Sequence, residues 1–476
     1  MDDARLTVSQ DVLGRIARAV GPAGMITDPG DMAPYVIDQR KMYHGRTPAV
    51  VRPASTEEVS AVLAICNETG TAVVPQGGNT GLCGAATPHE DGSEILISLT
   101  RMNKVREVDA LNYTLTVEAG VILTDVQKAA EAADRLFPLS LGAEGSARIG
   151  GNLSTNAGGT GVLRYGNARD LVLGLEVVLP DGRIWDGLSA LRKDNTGYDL
   201  KQVFIGAEGT LGIITACVLK MFPRPRQIET AFCAVRDCQA AIEILSRARA
   251  ATDDRVSAFE WIARLGLDFV LEHIPDTRDP LASPHAEYLL IELASGDEDA
   301  GLREVMENIL TEAMERGEVL DATIAESGAQ AADFWRLRET VPEAQMIEGA
   351  SIKNDISVPV SSVPEFLDRA GAALEDAMPG IRICSFGHVG DGNVHYNLGL
   401  PKDSDPAAFH ASGDNLVRII HEIATGLRGS ISAEHGIGLL KRDALHHYKS
   451  PVAIELMQSL KQAFDPNGIM NPGKVL

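Results

Sequence analysis

Pro75-Gln76-Gly77-Gly78-Asn79-Thr80-Gly81 follows the apolar run Thr71-Ala72-Val73-Val74. A strand that ends in successive small residues lets backbone N–H groups converge on an anion such as a pyrophosphate. Two further stretches share this texture. Gly145-Ser146-Ala147-Arg148-Ile149-Gly150-Gly151-Asn152-Leu153-Ser154-Thr155-Asn156-Ala157-Gly158-Gly159 is dense in Gly, Ser, Thr and Asn. Such a composition allows close backbone approach and many hydrogen bonds to a polar cofactor. Phe204-Ile205-Gly206-Ala207-Glu208-Gly209-Thr210-Leu211-Gly212-Ile213-Ile214 is the third. Any one of them alone reads equally as a set of tight turns. None is a GxGxxG that opens a helix after the first strand, and no Walker A motif is present. A nicotinamide cofactor or a nucleoside triphosphate is therefore not favoured.

Working outward, short β runs alternate with helices and loops as far as Pro223. Ser9–Val20 has amphipathic helical spacing, and Ser55-Thr56-Glu57-Glu58 caps a helix to about Asn67. After Pro223-Arg224-Pro225-Arg226 the texture changes to long helical stretches, such as Cys238–Ala251 and Gly301–Arg316, between strands such as Tyr288–Leu293. A Pro-rich linker of this kind marks a domain boundary. The predicted division is an N-terminal segment 1–45, a cofactor domain 46–223, a substrate domain 224–415 and a C-terminal segment 416–476 that returns to the cofactor domain. The 476 residues carry a formal net charge of −23, a surface that repels nucleic acid and anionic lipid. A small anionic substrate then needs a local basic pocket. No apolar run reaches the roughly 18 residues of a membrane span. The start, Met1-Asp2-Asp3-Ala4-Arg5, resembles neither a secretory signal nor a transit peptide. The 6 cysteines are scattered without a CxxC pair. They read as reduced thiols of a cytoplasmic protein.

Chemistry concentrates in two later stretches, Gly387-His388-Val389-Gly390-Asp391-Gly392-Asn393-Val394-His395 and Ser432-Ala433-Glu434-His435-Gly436. They supply two imidazoles, then a carboxylate and a third imidazole, all in glycine-flanked loops. Two His and one carboxylate leave an open coordination position, with a base beside it. Zn²⁺ is the first choice, and the same ligands accept Mn²⁺ or Fe²⁺. Ile381–Gly387 and Val394–Leu398 bracket the first loop as a hairpin, with His388 and His395 at its two mouths. Strand alternation puts His395 and Asn397 on one side, so Asn397 neighbours whatever His395 binds. Asp391 reads as a turn residue, since Asp-Gly favours tight turns. Phe334–Thr340 reads as a helix carrying Arg338, and Ser351–Pro359 as a strand with Lys353, Asp355 and Ser357 on one side. On their own, Arg338 and Lys353 read as solvated charges.

In order and spacing, the three glycine-rich patterns resemble the flavin-binding domain of the vanillyl-alcohol oxidase/PCMH superfamily, over about residues 46–223. The resemblance implies FAD pyrophosphate in the loop Pro75, Gln76, Gly77, Gly78, Asn79, Thr80 and Gly81. It implies further contacts from Ser146, Gly150, Gly151, Asn156, Gly158 and Ile213. Some members attach the flavin through a His just after the paired glycines. Asn79 stands there in this chain, so a non-covalent FAD is expected. The tail Asn471-Pro472-Gly473-Lys474 matches the usual end of these chains, and Lys474 enters as a further cofactor contact.

GHVGDGNVH, SAEHGIGLLKRD (432–443) and FDPNGIMNPGK (464–474) are similar to the FAD-linked D-2-hydroxyacid dehydrogenases, a group spanning D-lactate and D-2-hydroxyglutarate types. The implied fold is α+β: a PCMH-type FAD-binding domain, an α/β substrate (cap) domain and a helical C-terminal segment. The resemblance assigns His388, His395 and Glu434 to the metal and His435 to the general base. It assigns Arg338 and Lys353 to substrate carboxylate, as a guanidinium can hold one bidentately. Asn397 becomes a hydrogen-bonding neighbour. The expected reaction is oxidation of a D-2-hydroxy acid to the 2-oxo acid, with hydride passing to flavin N5. One position departs from the pattern. Members acting on D-2-hydroxyglutarate usually carry Thr four residues after the arginine, where this chain has Pro342. One helical turn would put 338 and 342 on one face, so the missing hydroxyl leans the expectation toward D-lactate. The acceptor is expected to be electron-transfer flavoprotein, a quinone or a cytochrome, and a homodimer is compatible with these features. The alternatives are a flavin oxidase of the same fold acting on another alcohol or sugar with O₂, and a metal-dependent hydrolase whose glycine loops are only structural.

Overall fold

A computed structural model describes residues 8–402 and 404–476. The acidic start Met1–Arg5 lies outside the described residues. The chain forms two compact units. The first runs to Gly158, resumes over Asn167–Arg224 and closes with Glu434–Leu476; the second comprises Gly159–Gly166 and Pro225–Ala433. Among the described residues no helix is long and apolar enough to cross a membrane.

The first unit holds a mostly parallel four-stranded sheet and an antiparallel five-stranded one. In the former, the helix Thr56–Thr69 connects Val50–Val51 to Ala72–Gln76. The Ser55 side chain accepts from the Glu58 amide at its start, and Gly70 ends it in the left-handed conformation. Val59, Val62, Leu63 and Cys66 form its buried stripe at helical spacing. Ala72–Gln76 then delivers the chain to the glycine loop at 77. The C-terminal tail lies beside the same strand, with the Asn471 amide donating to the Val73 carbonyl (2.8 Å).

The second unit is built on an eight-stranded antiparallel sheet. Both faces are covered, and period-2 alternation divides each strand between two cores. Along Glu287–Ser295, Leu289, Ile291 and Leu293 enter one core while Tyr288 and Leu290 enter the other. The larger core takes Ile244, Met306 and Phe366 from the helices Cys238–Ala251, Leu302–Glu315 and Val363–Ala377. The smaller takes Leu267, Phe334 and Leu337 from Arg264–His273 and Gly328–Glu339. The helix Gly413–Gly426 also belongs here, because Leu416, Ile420 and Ala424 are buried in the larger core. The chain therefore leaves this unit at Ala433, later than the expected boundary at 415.

Phe366 is fully buried and meets the Tyr396 ring edge-on, with centroids 5.2 Å apart. Phe366→Ala should destabilise the protein by about 3–5 kcal/mol. Urea unfolding followed by fluorescence measures it, and an unchanged midpoint would mean that this core is loosely packed.

Candidate functional site

In the second unit, Arg382–Gly387 and Asn393–Gly399 form the expected hairpin, with Phe386 opposite His395. Asp391 is the turn residue: its carboxylate accepts from the Asn393 amide (3.1 Å), and its own amide donates to the His388 carbonyl (3.0 Å). The two imidazoles come together across the hairpin. Their ring centroids are 5.5 Å apart at 80°, and a ring nitrogen of each lies within 4.8 Å of the other's.

Each imidazole has a buried carboxylate behind it. Glu260 Oε1 is 2.6 Å from His388 Nδ1, and Asp355 Oδ1 is 3.7 Å from His395 Nδ1. Asp355 is also held by Asn393 Nδ2 (2.9 Å). Burial opposes ionisation of Glu260, but His388, which hydrogen-bonds it, and the Arg338 guanidinium outweigh it and hold the carboxyl well below the usual carboxylate range. An ionised carboxylate only accepts, so His388 carries its proton on Nδ1 and Nε2 is the basic nitrogen. A carboxylate behind a histidine in this way fixes the tautomer that a metal requires.

Arg338 is buried, not solvated. Its Nε donates to Glu260 Oε2 (2.8 Å), and its guanidinium lies 4.9 Å from the centroid of the Phe386 ring. Lys353 falls in a short interruption between the strands Ser351–Ile352 and Asp355–Ser357. Ile352 pairs with Leu398 and Asp355 with His395, so the shared register sets Lys353 opposite Asn397 on the side of His395. Asn397 is where alternation places it, but its amide has another task. Its Oδ1 accepts from the Asn354 amide (3.0 Å) and its Nδ2 donates to Gln345 Oε1 (2.9 Å). At the interruption the Asn354 carbonyl still accepts from the Tyr396 amide (3.0 Å), but its own amide leaves the ladder and donates to the Asn397 side chain. The side chain expected beside the substrate is thus engaged by Asn354 and Gln345.

At Pro342 the structure departs from the single continuous helix that was expected. The helix carrying Arg338 ends at Glu339, and a second helix, Val341–Glu348, starts with Pro342 in its first turn. Proline has no N–H to donate back to residue 338 and is favoured at such a start. Pro342 is exposed, whereas Arg338 is buried.

In the first unit, the glycine loops pack against one another. A Cβ at Gly78 would fall on the Ser146 carbonyl, and one at Gly77 would lie 3.4 Å from the backbone of Gly151. Toward the other side there is room: a Cβ at Gly81, Gly145 or Gly151 would meet no atom within 4 Å. This bare backbone cradle, with Thr80 and Ser146 beside it, fits a polar dinucleotide. Not every predicted contact faces it. Gln76 is buried and donates to the Tyr35 (2.8 Å) and Ala86 (2.9 Å) carbonyls, while Asn79 Nδ2 holds the carbonyls of Pro34 and Ile37. Gly150 is required for packing on Ala119, whose Cβ would lie 2.6 Å from an added methyl. Asn156 receives the Arg169 amide (2.9 Å), and Ile213 opens a buried strand. Lys474, expected as a cofactor contact, has a buried ammonium 3.3 Å from both Glu94 Oε1 and His89 Nδ1.

Glu434 and His435 open the last segment of this unit. Glu208 holds their loop, its two oxygens accepting from the amides of Ile437 (2.7 Å) and Gly438 (2.9 Å). Gly158 lies against Glu434, where a Cβ would stand 2.5 Å from Oε1. Gly436 has φ +76, and its Cβ would approach Glu208 Oε1 to 2.8 Å, so both backbone angle and space demand glycine. Three buried carboxylates that bond these histidines and this loop were not assigned from sequence: Glu260, Asp355 and Glu208. Glu260 had a signal, being the only charge in the strand Val256–Ala263.

Comparison with known proteins agrees with both halves. The family described as "FAD binding domain" matches residues 47–187, and "FAD linked oxidases, C-terminal domain" matches 224–475. A probable mitochondrial D-2-hydroxyglutarate dehydrogenase of Oryza sativa subsp. indica is 40% identical over 470 residues, 98% of this chain and 82% of the rice protein. A D-2-hydroxyglutarate dehydrogenase of Xanthomonas citri pv. viticola is 38% identical over 462 residues, 97% of this chain and 96% of that protein. Among solved structures, substrate-bound p-cresol methylhydroxylase superposes with a TM-score of 0.76 at 18% identity, covering 98% of this chain and 97% of that one. That likeness speaks to the fold alone.

Proposed function

This chain belongs to the FAD-linked D-2-hydroxyacid dehydrogenases of the vanillyl-alcohol oxidase/PCMH superfamily, and from that premise we propose D-2-hydroxyglutarate as its substrate and a metal-assisted oxidation with His435 as base. It is an FAD-dependent enzyme that oxidises a D-2-hydroxy acid. The finer reading rests chiefly on one observation: two facing imidazoles, each backed by a buried carboxylate, beside a buried arginine.

His388, His395 and Glu434 are the ligand set in this reading, with Zn²⁺ the first choice and Mn²⁺ or Fe²⁺ accepted by the same donors. A bound ion would supply Lewis-acid polarisation of the substrate hydroxyl. Bound FAD supplies the two-electron acceptor. His435 takes the hydroxyl proton. Arg338 and Lys353 hold carboxylate charge, against a surface whose net charge of −23 would otherwise repel a dianion. Arg338 keeps its two terminal nitrogens for this, since the bond to Glu260 is made by Nε. Electrons then leave to a separate acceptor: electron-transfer flavoprotein, a quinone or a cytochrome.

Substrate choice follows the names of the rice and Xanthomonas relatives. The lean toward D-lactate came from Pro342, which is exposed and opens a second helix. Pro342→Thr should therefore leave the ratio of kcat/KM for D-2-hydroxyglutarate over D-lactate unchanged. A ratio that rises in the variant would restore the residue to the specificity pocket. Anaerobic mixing tests the whole reading. D-2-hydroxyglutarate should bleach the flavin faster than D-lactate, its L isomer should not, and a chelator should abolish bleaching until Zn²⁺ is returned. Faster bleaching by D-lactate would overturn the substrate, and indifference to the chelator would overturn the metal.

A further inference from the structure

We propose that Glu260 is a positioning residue that sets the metal-facing histidine and the carboxylate-binding arginine with one side chain. The inference rests on the roles just given to His388 and Arg338. Glu260 lies on the central strand Val256–Ala263, where Trp261 pairs with Gly387 and Ile262 with Phe386. That register brings it beside His388 on the sheet face covered by the helix Gly328–Glu339. It is 1% exposed, and its two oxygens go to different partners: Oε1 to His388 Nδ1 at 2.6 Å, Oε2 to Arg338 Nε at 2.8 Å.

Stability alone does not account for this arrangement. Taking a carboxylate and a guanidinium out of water carries a desolvation penalty that their attraction only roughly repays, and apolar replacements are often as stable. Geometry gives the carboxylate a use. By accepting from Nδ1 it keeps the His388 proton away from the nitrogen a metal needs. By taking only Nε it leaves the Arg338 fork aimed elsewhere and fixes its plane against Phe386. A substrate that meets both groups then finds them set at one distance by a rigid strand.

Glutamine at 260 is the informative replacement. It has the same size, but one end becomes an NH₂ donor. If that end meets His388, Nδ1 must accept and the proton moves to Nε2. If it meets Arg338, donor opposes donor. Either way one of the two settings is lost.

The test uses the FAD-loaded full chain as wild type, Glu260→Gln, Glu260→Asp and His388→Ala. Zn²⁺ affinity is measured by competition with a chromophoric chelator, and KM and kcat are measured separately with D-2-hydroxyglutarate. His388→Ala should lose stoichiometric Zn²⁺. Glu260→Gln should keep FAD but bind Zn²⁺ about 10- to 100-fold more weakly, with a raised KM. Glu260→Asp, charged but shorter, should recover part of both. Wild-type Zn²⁺ affinity and KM in Glu260→Gln would overturn the proposal, even if its melting temperature fell. Should that variant fail to fold, a folded Glu260→Asp with both values unchanged would overturn it equally. A different pattern marks failure of the underlying metal reading: no stoichiometric Zn²⁺ in the wild type, or none lost in His388→Ala. That result would remove the premise and the proposal together.

Discussion

His435→Ala should retain FAD and lose turnover by about 100- to 10,000-fold, the usual contribution of a positioned general base. The substitution is expected to act locally, because bonds to the backbone of the following residues hold the loop. Glu208 fixes the amides of Ile437 and Gly438, and the amides of Leu439 and Leu440 donate to the Cys83 carbonyl. Removing the ring should therefore leave Glu434 where it is, and with it any bound ion. Stopped-flow flavin reduction under anaerobic conditions separates the outcomes. A yellow protein with wild-type Zn²⁺ content that D-2-hydroxyglutarate reduces only slowly is the expected result. Reduction at the wild-type rate would assign the proton to another group. Loss of FAD or Zn²⁺ would show that the ring helps to build the loop.

Much of this was legible in the chain. Period-2 and helical spacing located elements whose ends are set by local chemistry, such as Cys238–Ala251 behind the Asp237 cap and Pro451–Phe464 behind Ser450. The hairpin of His388 and His395 was legible because glycines and Asp391 interrupt an otherwise regular alternation. What escaped depends on contacts distant in sequence. Glu260 and His388 are separated by 128 positions and meet only through strand register. Asn397 stands on the expected side, but periodicity could not reveal its bonds to the Asn354 amide and to Gln345. Pro342 was read on a continuous helix, although proline's own chemistry argues for a new start there. Lys474 matched a family ending, but its match carried no information about Glu94, 380 positions away, which holds its ammonium. The boundary placed at 415 missed the helix Gly413–Gly426, whose apolar face belongs to the second unit.

The second large effect is expected at Glu208. Its carboxylate is buried, and burial pushes its pKa up while the amides of Ile437 and Gly438 pull the other way. It also has φ +49, an uncommon backbone conformation for a residue with a side chain, and its own carbonyl is held by Asn471 Nδ2 (2.8 Å). One residue thus ties the third glycine-rich stretch to the His435 loop and to the C-terminal tail. Glu208→Ala leaves two amides without acceptors, at about 1–3 kcal/mol each where water cannot reach them. Glu208→Gln keeps one acceptor oxygen and turns a donor toward the other amide, so it should fall between alanine and wild type. Stability should follow that order in urea unfolding. Flavin reduction should follow it too, because a base displaced by a fraction of an ångström loses its alignment with the hydroxyl proton. FAD content distinguishes this from general damage, since the cradle at Gly77–Gly81 and Gly145–Gly151 makes no use of the Glu208 carboxylate. A Glu208→Ala protein that is less stable but reduces its flavin at the wild-type rate would mean that His435 needs no latch. If rate and stability fall together while FAD stays bound, the third glycine-rich stretch serves the base through its one acidic residue.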